Sequence, residues 1–119
     1  MSRGEKPFII KRNDTAPVLI ATVYDKGCLG GWNRLNLSGV TKVDFSMADD
    51  SGALIISSQS AQTISANSGI IQYSWREGDT SLAGTYTGEF ELFFTDGTKM
   101  SLPREGGISI KIEEDINNI

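Results

Sequence analysis

The chain contains no histidine and one cysteine, Cys28, in 119 residues. These two scarcities remove a large part of enzyme chemistry. Without an imidazole, neither a Ser-His-Asp nor a Cys-His arrangement can be assembled. One thiol and no imidazole cannot supply the usual ligand set of a zinc ion. A lone cysteine also excludes an internal disulfide, and an unstapled chain fits assembly in the reducing cytosol. Cys28 reads as a buried small hydrophobe or a loop residue rather than a nucleophile, since no base neighbours it in sequence. Long apolar runs are missing as well. None approaches the ~18 residues of a spanning helix, so no membrane insertion is expected. The opening MSRGEKPFII has basic residues but no secretion-type apolar stretch, so no signal is expected there. Basic residues number 11 against 15 acidic ones, for a net charge of −4, and they are scattered. Nucleic-acid binding, which rests on clustered Lys and Arg, is therefore not expected. Nor does any residue pattern call for a metal or a cofactor.

What is present is enough for one domain with a core. A chain of this length buries roughly two thirds of its unfolded surface. The apolar share of 39% and charged share of 22% are those of a folded protein. Period-two alternation recurs throughout. It is clearest from Gly84 to Thr98, where Tyr86, Phe90, Leu92 and Phe94 share one side and Thr87, Glu89, Glu91 and Thr95 the other. Asp96-Gly97 then suits a two-residue primed turn with positive φ at both positions, returning the chain through Thr98–Leu102. Val43, Phe45 and Met47 alternate with Lys42, Asp44 and Ser46; Ile71, Tyr73 and Trp75 with Ile70, Gln72 and Ser74; Ile108, Ile110 and Ile112 with Ser109 and Lys111. Shorter strands are expected at Pro7–Lys11 and Val18–Tyr24. Ala53–Ser57 and Ala61–Ser65 read as two edge strands, with a turn or a bulge between them. Cys28–Asn36 shows no period and reads as a long glycine-rich loop anchored by Trp32.

Seven to nine short strands between Gly, Asp, Asn and Ser turns, with no helical window, predict an all-β antiparallel sandwich. Residues 1–6 read as a flexible N-terminal tail (frayed, or ordered against a neighbouring subunit), 7–113 as the sandwich domain and 114–119 as a C-terminal tail. Tyr86 behind Gly84 fits either a tyrosine corner or an ordinary core position. Gly88, on the inward face, is expected to make room for a ring or a bulge.

An ordered series runs along the chain: Asn13-Asp14-Thr15-Ala16-Pro17, Asp25-Lys26-Gly27, Leu35–Val40, Val43–Met47, Gly69–Trp75, Ala83–Phe90, Phe94–Gly97 and Ile108–Ile112. It resembles the immunoglobulin-like domain at the start of phage baseplate upper proteins and in small stand-alone phage virion proteins. The resemblance spans about Phe8 to Ile112. It implies an immunoglobulin-like β-sandwich acting as a structural component of a bacteriophage virion, in the tail, baseplate or neck. The partners implied are other virion proteins, with a homo-oligomer possible, and the place is the virion, assembled in the host cytoplasm. It carries no catalytic residues over.

The residues themselves favour contacts over catalysis. Asp49-Asp50 lies in a turn and Glu89/Glu91 on a polar strand face, so neither pair reads as an acid/base couple. The protein is expected not to be an enzyme. Interface candidates are Phe93, on the polar side of its strand, Trp32 in the glycine-rich stretch, Tyr24 and Ile20 on one strand face, and Ile70 on another. The alternative is a module for host-surface carbohydrate, with Trp32, Tyr24 or Tyr73 as stacking platforms.

Overall fold

The computed structural model describes residues 7–26, 32–103 and 106–116. Ten strands follow in chain order: β1 (Phe8–Lys11), β2 (Leu19–Thr22), β3 (Tyr24–Lys26), β4 (Trp32–Arg34), β5 (Val40–Asp49), β6 (Leu54–Ser65), β7 (Ile70–Tyr73), β8 (Gly84–Phe94), β9 (Lys99–Leu102) and β10 (Ile108–Glu113). Eight of them form one hydrogen-bonded path, β1-β10-β8-β5-β6-β7-β2, with β9 beside β8; β3 and β4 make a separate hairpin. β6 turns the path back on itself. Its first part pairs with β5, up to Ala61 against Val43, and its last part pairs with β7, from Gln62 against Gln72. The result is an all-β sandwich whose two layers are continuous through one strand, close to a closed barrel.

The alternating residues fill the space between the layers. Val43, Phe45 and Met47 of β5, Tyr86, Phe90 and Leu92 of β8, and Ile110 and Ile112 of β10 meet Leu19, Ile71 and Tyr73 of the smaller layer. Phe45 bridges them, with its ring 4.6 Å from Tyr73 and 4.9 Å from Phe90. Trp75 closes one end of the core. It is buried, and its Nε1 donates to the Pro17 carbonyl at 3.1 Å. Of the two roles expected of Gly88, the structure shows room for a ring: a Cβ there would lie 2.8 Å from the Phe45 ring. The tyrosine corner is present, with the Tyr86 hydroxyl donating to the Leu82 carbonyl at 2.5 Å.

Four expectations need correction. The sheet is mixed rather than antiparallel throughout, because β1 runs parallel to β10, Phe8 against Ile110. A parallel pair needs a long crossover, and here the crossover is the rest of the domain. Second, Ala53–Ser57 and Ala61–Ser65 are parts of one 12-residue strand. Register shifts opposite Phe45/Met47 and Met47/Ala48, with Ser58 at φ 48°, hide its period. Third, part of the supposed loop is a hairpin, in which Trp32–Arg34 pair with Lys26–Tyr24. Fourth, the turn after β8 has a different form. The Gly97 N–H donates to the Phe94 carbonyl at 3.0 Å, and Gly97 takes positive φ while Asp96 does not. That is a three-residue loop ending in a glycine bulge. Residues 1–6, Cys28 and residues 117–119 lie outside the described residues.

Candidate functional site

The outer faces of the two layers differ in charge. On the larger layer, side chains from β1, β10, β8, β5 and β9 alternate outward and are heavily ionised. Lys11 and Lys111 lie 3.5 and 3.7 Å from Glu113, Lys42 lies 3.4 Å from Asp44, and Lys99 lies 3.4 Å from Glu91. Phe93 is on this face. Its register partners are Lys42 on β5 and Lys99 on β9, and the Lys42 ammonium sits 5.0 Å from the ring centroid. The ring is half-buried beneath a cation; it is no bare aromatic anchor.

The smaller layer presents the opposite surface. Its strands read LIAT in β2, IIQY in β7 and QTIS in the last four residues of β6, without one charged residue. Alternation sends Leu19, Ala21, Ile71 and Tyr73 inward. It leaves Ile20, Gln72 and Gln62 in a row across the outer face. The next row is Thr22, Ile70 and Ser65, where the register of β6 slips and Ile64 becomes the extra residue opposite Ile70. Ile20 and Ile64 are 57% and 52% exposed, and Ile70 is half-buried beside them. Tyr24 continues the line of Ile20 and Thr22 into β3 and is 49% exposed. The structure thus brings Ile20, Ile70 and Tyr24 to one side and puts Phe93 on the other. The Trp32 side chain lies outside the described residues.

Ile64 was not found from the sequence. Its strand reads as serine-rich and broken, and the signal that could have exposed it is the shared lack of charge in three distant segments. Tyr73, offered as a stacking platform for sugar, is wholly buried against Phe45, and its hydroxyl donates to Asp79 Oδ2 at 2.5 Å. Burial and that bond push the tyrosine well above its usual ionisation range.

The acidic residues serve turns. Asp49 Oδ1 accepts from the Ser51 hydroxyl at 2.7 Å and from the amides of Ser51 and Ala53. Asp96 Oδ1 accepts from the hydroxyl and amide of Thr98 at 2.6 and 2.9 Å. These bonds, the hydroxyl bond first in each case, lower both carboxyl pKa values. Among the described residues no three His, Cys, Asp or Glu side chains are placed to hold a metal ion. A shallow groove of about 180 Å³ runs past Ser46, Leu54, Thr87 and Glu89. Glu89 is its one ionisable group among the described residues.

No family model matches the chain. No curated protein matches it either. Among solved structures, the crystal structure of CopC from Methylosinus trichosporium OB3b is similar, with a TM-score of 0.54 and 13% sequence identity over 97% of this chain and 91% of that one. The likeness is one of fold.

It corrects the phage reading. The matching structure is CopC, not a virion protein, and nothing places this chain in a tail, baseplate or neck, with virion partners or as their homo-oligomer, or in a particle assembled in a host cytoplasm. The carbohydrate alternative falls too, with Tyr73 sealed in the core. The physical reason lies in the motifs that carried the resemblance. Val43–Met47, Gly69–Trp75 and Asp96-Gly97 are turn and alternation signals that any sandwich with these connections needs, so their order reports architecture rather than descent.

Proposed function

We propose that the chain is a non-catalytic docking domain that holds an uncharged surface of another protein against the outer face of its smaller layer. The observation carrying this is the contrast between two faces of one molecule: one studded with paired Lys, Asp and Glu, the other with Ile20, Ile64 and Ile70 and no charge on its three strands, the nearest being Arg34 beside Tyr24 at its end. Depletion of charge with retained apolar side chains marks the buried centre of protein interfaces. The absence of histidine from the whole sequence supports the non-catalytic part of the reading. We further propose that the sandwich is of immunoglobulin-like kind, supported by the Tyr86 corner and by Trp75 in the core.

A photo-crosslinking residue at position 20, compared with one at position 111 on the charged face, tests the docking face in the cells that make the protein. A discrete adduct from position 20 alone, lost when Ile70→Glu is added, is the expected result. Equal labelling from both positions, or none from position 20, would overturn it.

A further inference from the structure

β2 and β3 form one extended run, Leu19–Lys26, interrupted only at Val23. Both halves are paired along the same side. The Val23 N–H donates to the Gly69 carbonyl at 2.7 Å, and the Val23 carbonyl accepts from the Leu35 N–H at 2.8 Å. β7 therefore gives way to β4 at Gly69, which must be glycine: a Cβ there would fall 2.7 Å from the Leu35 carbonyl oxygen, and φ is 68°. Backbone groups alternate sides along an antiparallel strand. With Val23 directed at its partners, the N–H and C=O groups of Ile20, Thr22 and Tyr24 point the other way. No strand among the described residues lies there.

The other open edges among the described strands are guarded. β9, paired only with β8, holds Lys99 against Glu91 and runs into Pro103, and β4, paired only with β3, ends in Arg34. β1 ends in Lys11 and Arg12, tied to Glu113 and Glu114. The first half of β6 is broken by two register shifts, holds Ser58 in the left-handed region and is clasped where the Arg76 guanidinium donates to Gln59. Charges, bulges and covering side chains are the usual defences against an added strand. From Leu19 to Tyr24 there is no charge, Asp25 and Lys26 coming only at the far end of the run, and the ladder from Leu19 to Thr22 has no register shift. The edge left undefended is the one bordering the neutral face.

We propose that this edge takes up an extended, uncharged segment of a partner protein as an added strand. The inference rests on the docking reading and supplies its mode. Main-chain groups of Ile20, Thr22 and Tyr24 bond the segment, and its alternate side chains continue the neutral surface beside Ile20 and Ile70. A charged side chain at those alternate positions would face isoleucine with no ion to pair it.

The test uses a displayed library of random nine-residue peptides selected on the full chain. Enriched sequences should alternate β-branched or aromatic residues with others and lack charge at the alternate positions. Thr22→Pro removes an outward N–H without touching the ladder to β7, so it should weaken a selected peptide at least tenfold while leaving the thermal midpoint in place. N-methylation of the peptide's alternate amides should do the same to the unaltered protein, which covers the case of a misfolded variant. Peptides indifferent to both changes, or no enrichment at all, would overturn strand addition. Indifference to both, together with loss of binding in Ile20→Glu/Ile70→Glu, would sink the added strand while leaving the neutral face as the docking surface.

Discussion

A methyl group on Gly88 would sit 2.8 Å from both the Phe45 ring and the Ile110 Cδ1, so closely packed core side chains would have to shift to admit it. Gly88→Ala is therefore expected to destabilise the domain by about 1–3 kcal/mol, through overpacking, and a thermal melt would show the midpoint fall. Tyr86 has a different vulnerability. Removing its hydroxyl in Tyr86→Phe orphans the Leu82 carbonyl and should cost about 1 kcal/mol at neutral pH. The same residue makes stability sensitive to alkali. Burial first, then the charges of Asp49 and Asp50, raise its pKa, and Tyr73 is raised by burial and its bond to Asp79. A raised folded value means the stabilisation is complete below the unfolded tyrosine value, about 10, and is lost as pH climbs through the folded ones. Denaturant midpoints taken from pH 8 upward should decline above pH 10, and less steeply in Tyr86→Phe.

At the scale of elements, the β8–β9 hairpin depends on a carboxylate as much as on its glycine. Asp96 holds Thr98 through two bonds, and its lowered pKa means this support exists above the unfolded value of 3.8 and fades as pH falls through the folded one. Asp49 acts likewise between β5 and β6. Asp96→Asn with Asp49→Asn keeps the acceptors and removes the titration. Denaturant midpoints followed by circular dichroism should then start lower at neutral pH and fall less on acidification than in the unaltered chain. The long strands β5, β8 and β10 were legible in the sequence because regular pairing leaves alternation unbroken. β6 was not, since each register shift resets the period. β3 and β4, at three residues each, are too short to show one. The neutral face was only half legible: Ile20, Ile70 and Tyr24 could be named one by one, but that they meet depends on β2 pairing with β7, a contact between segments some fifty residues apart.

For the whole molecule, the shared strand decides how it comes apart. β6 belongs to both layers, so neither can open without breaking the ladder of the other. A single transition is expected, in which the far-ultraviolet signal of the sheets and the near-ultraviolet signal of the packed aromatic rings coincide. A separate, earlier loss of either signal would mean that the layers are independent.

The pairing of first strand with last has a mechanical consequence. Because β1 and β10 are parallel, Phe8 lies at the opposite end of the pair from Glu113. Tension applied between those two residues pulls the strands past each other along their length, loading the hydrogen bonds between them together instead of peeling them one at a time. Under such a load the pair would resist as a shear clamp rather than open as a zipper.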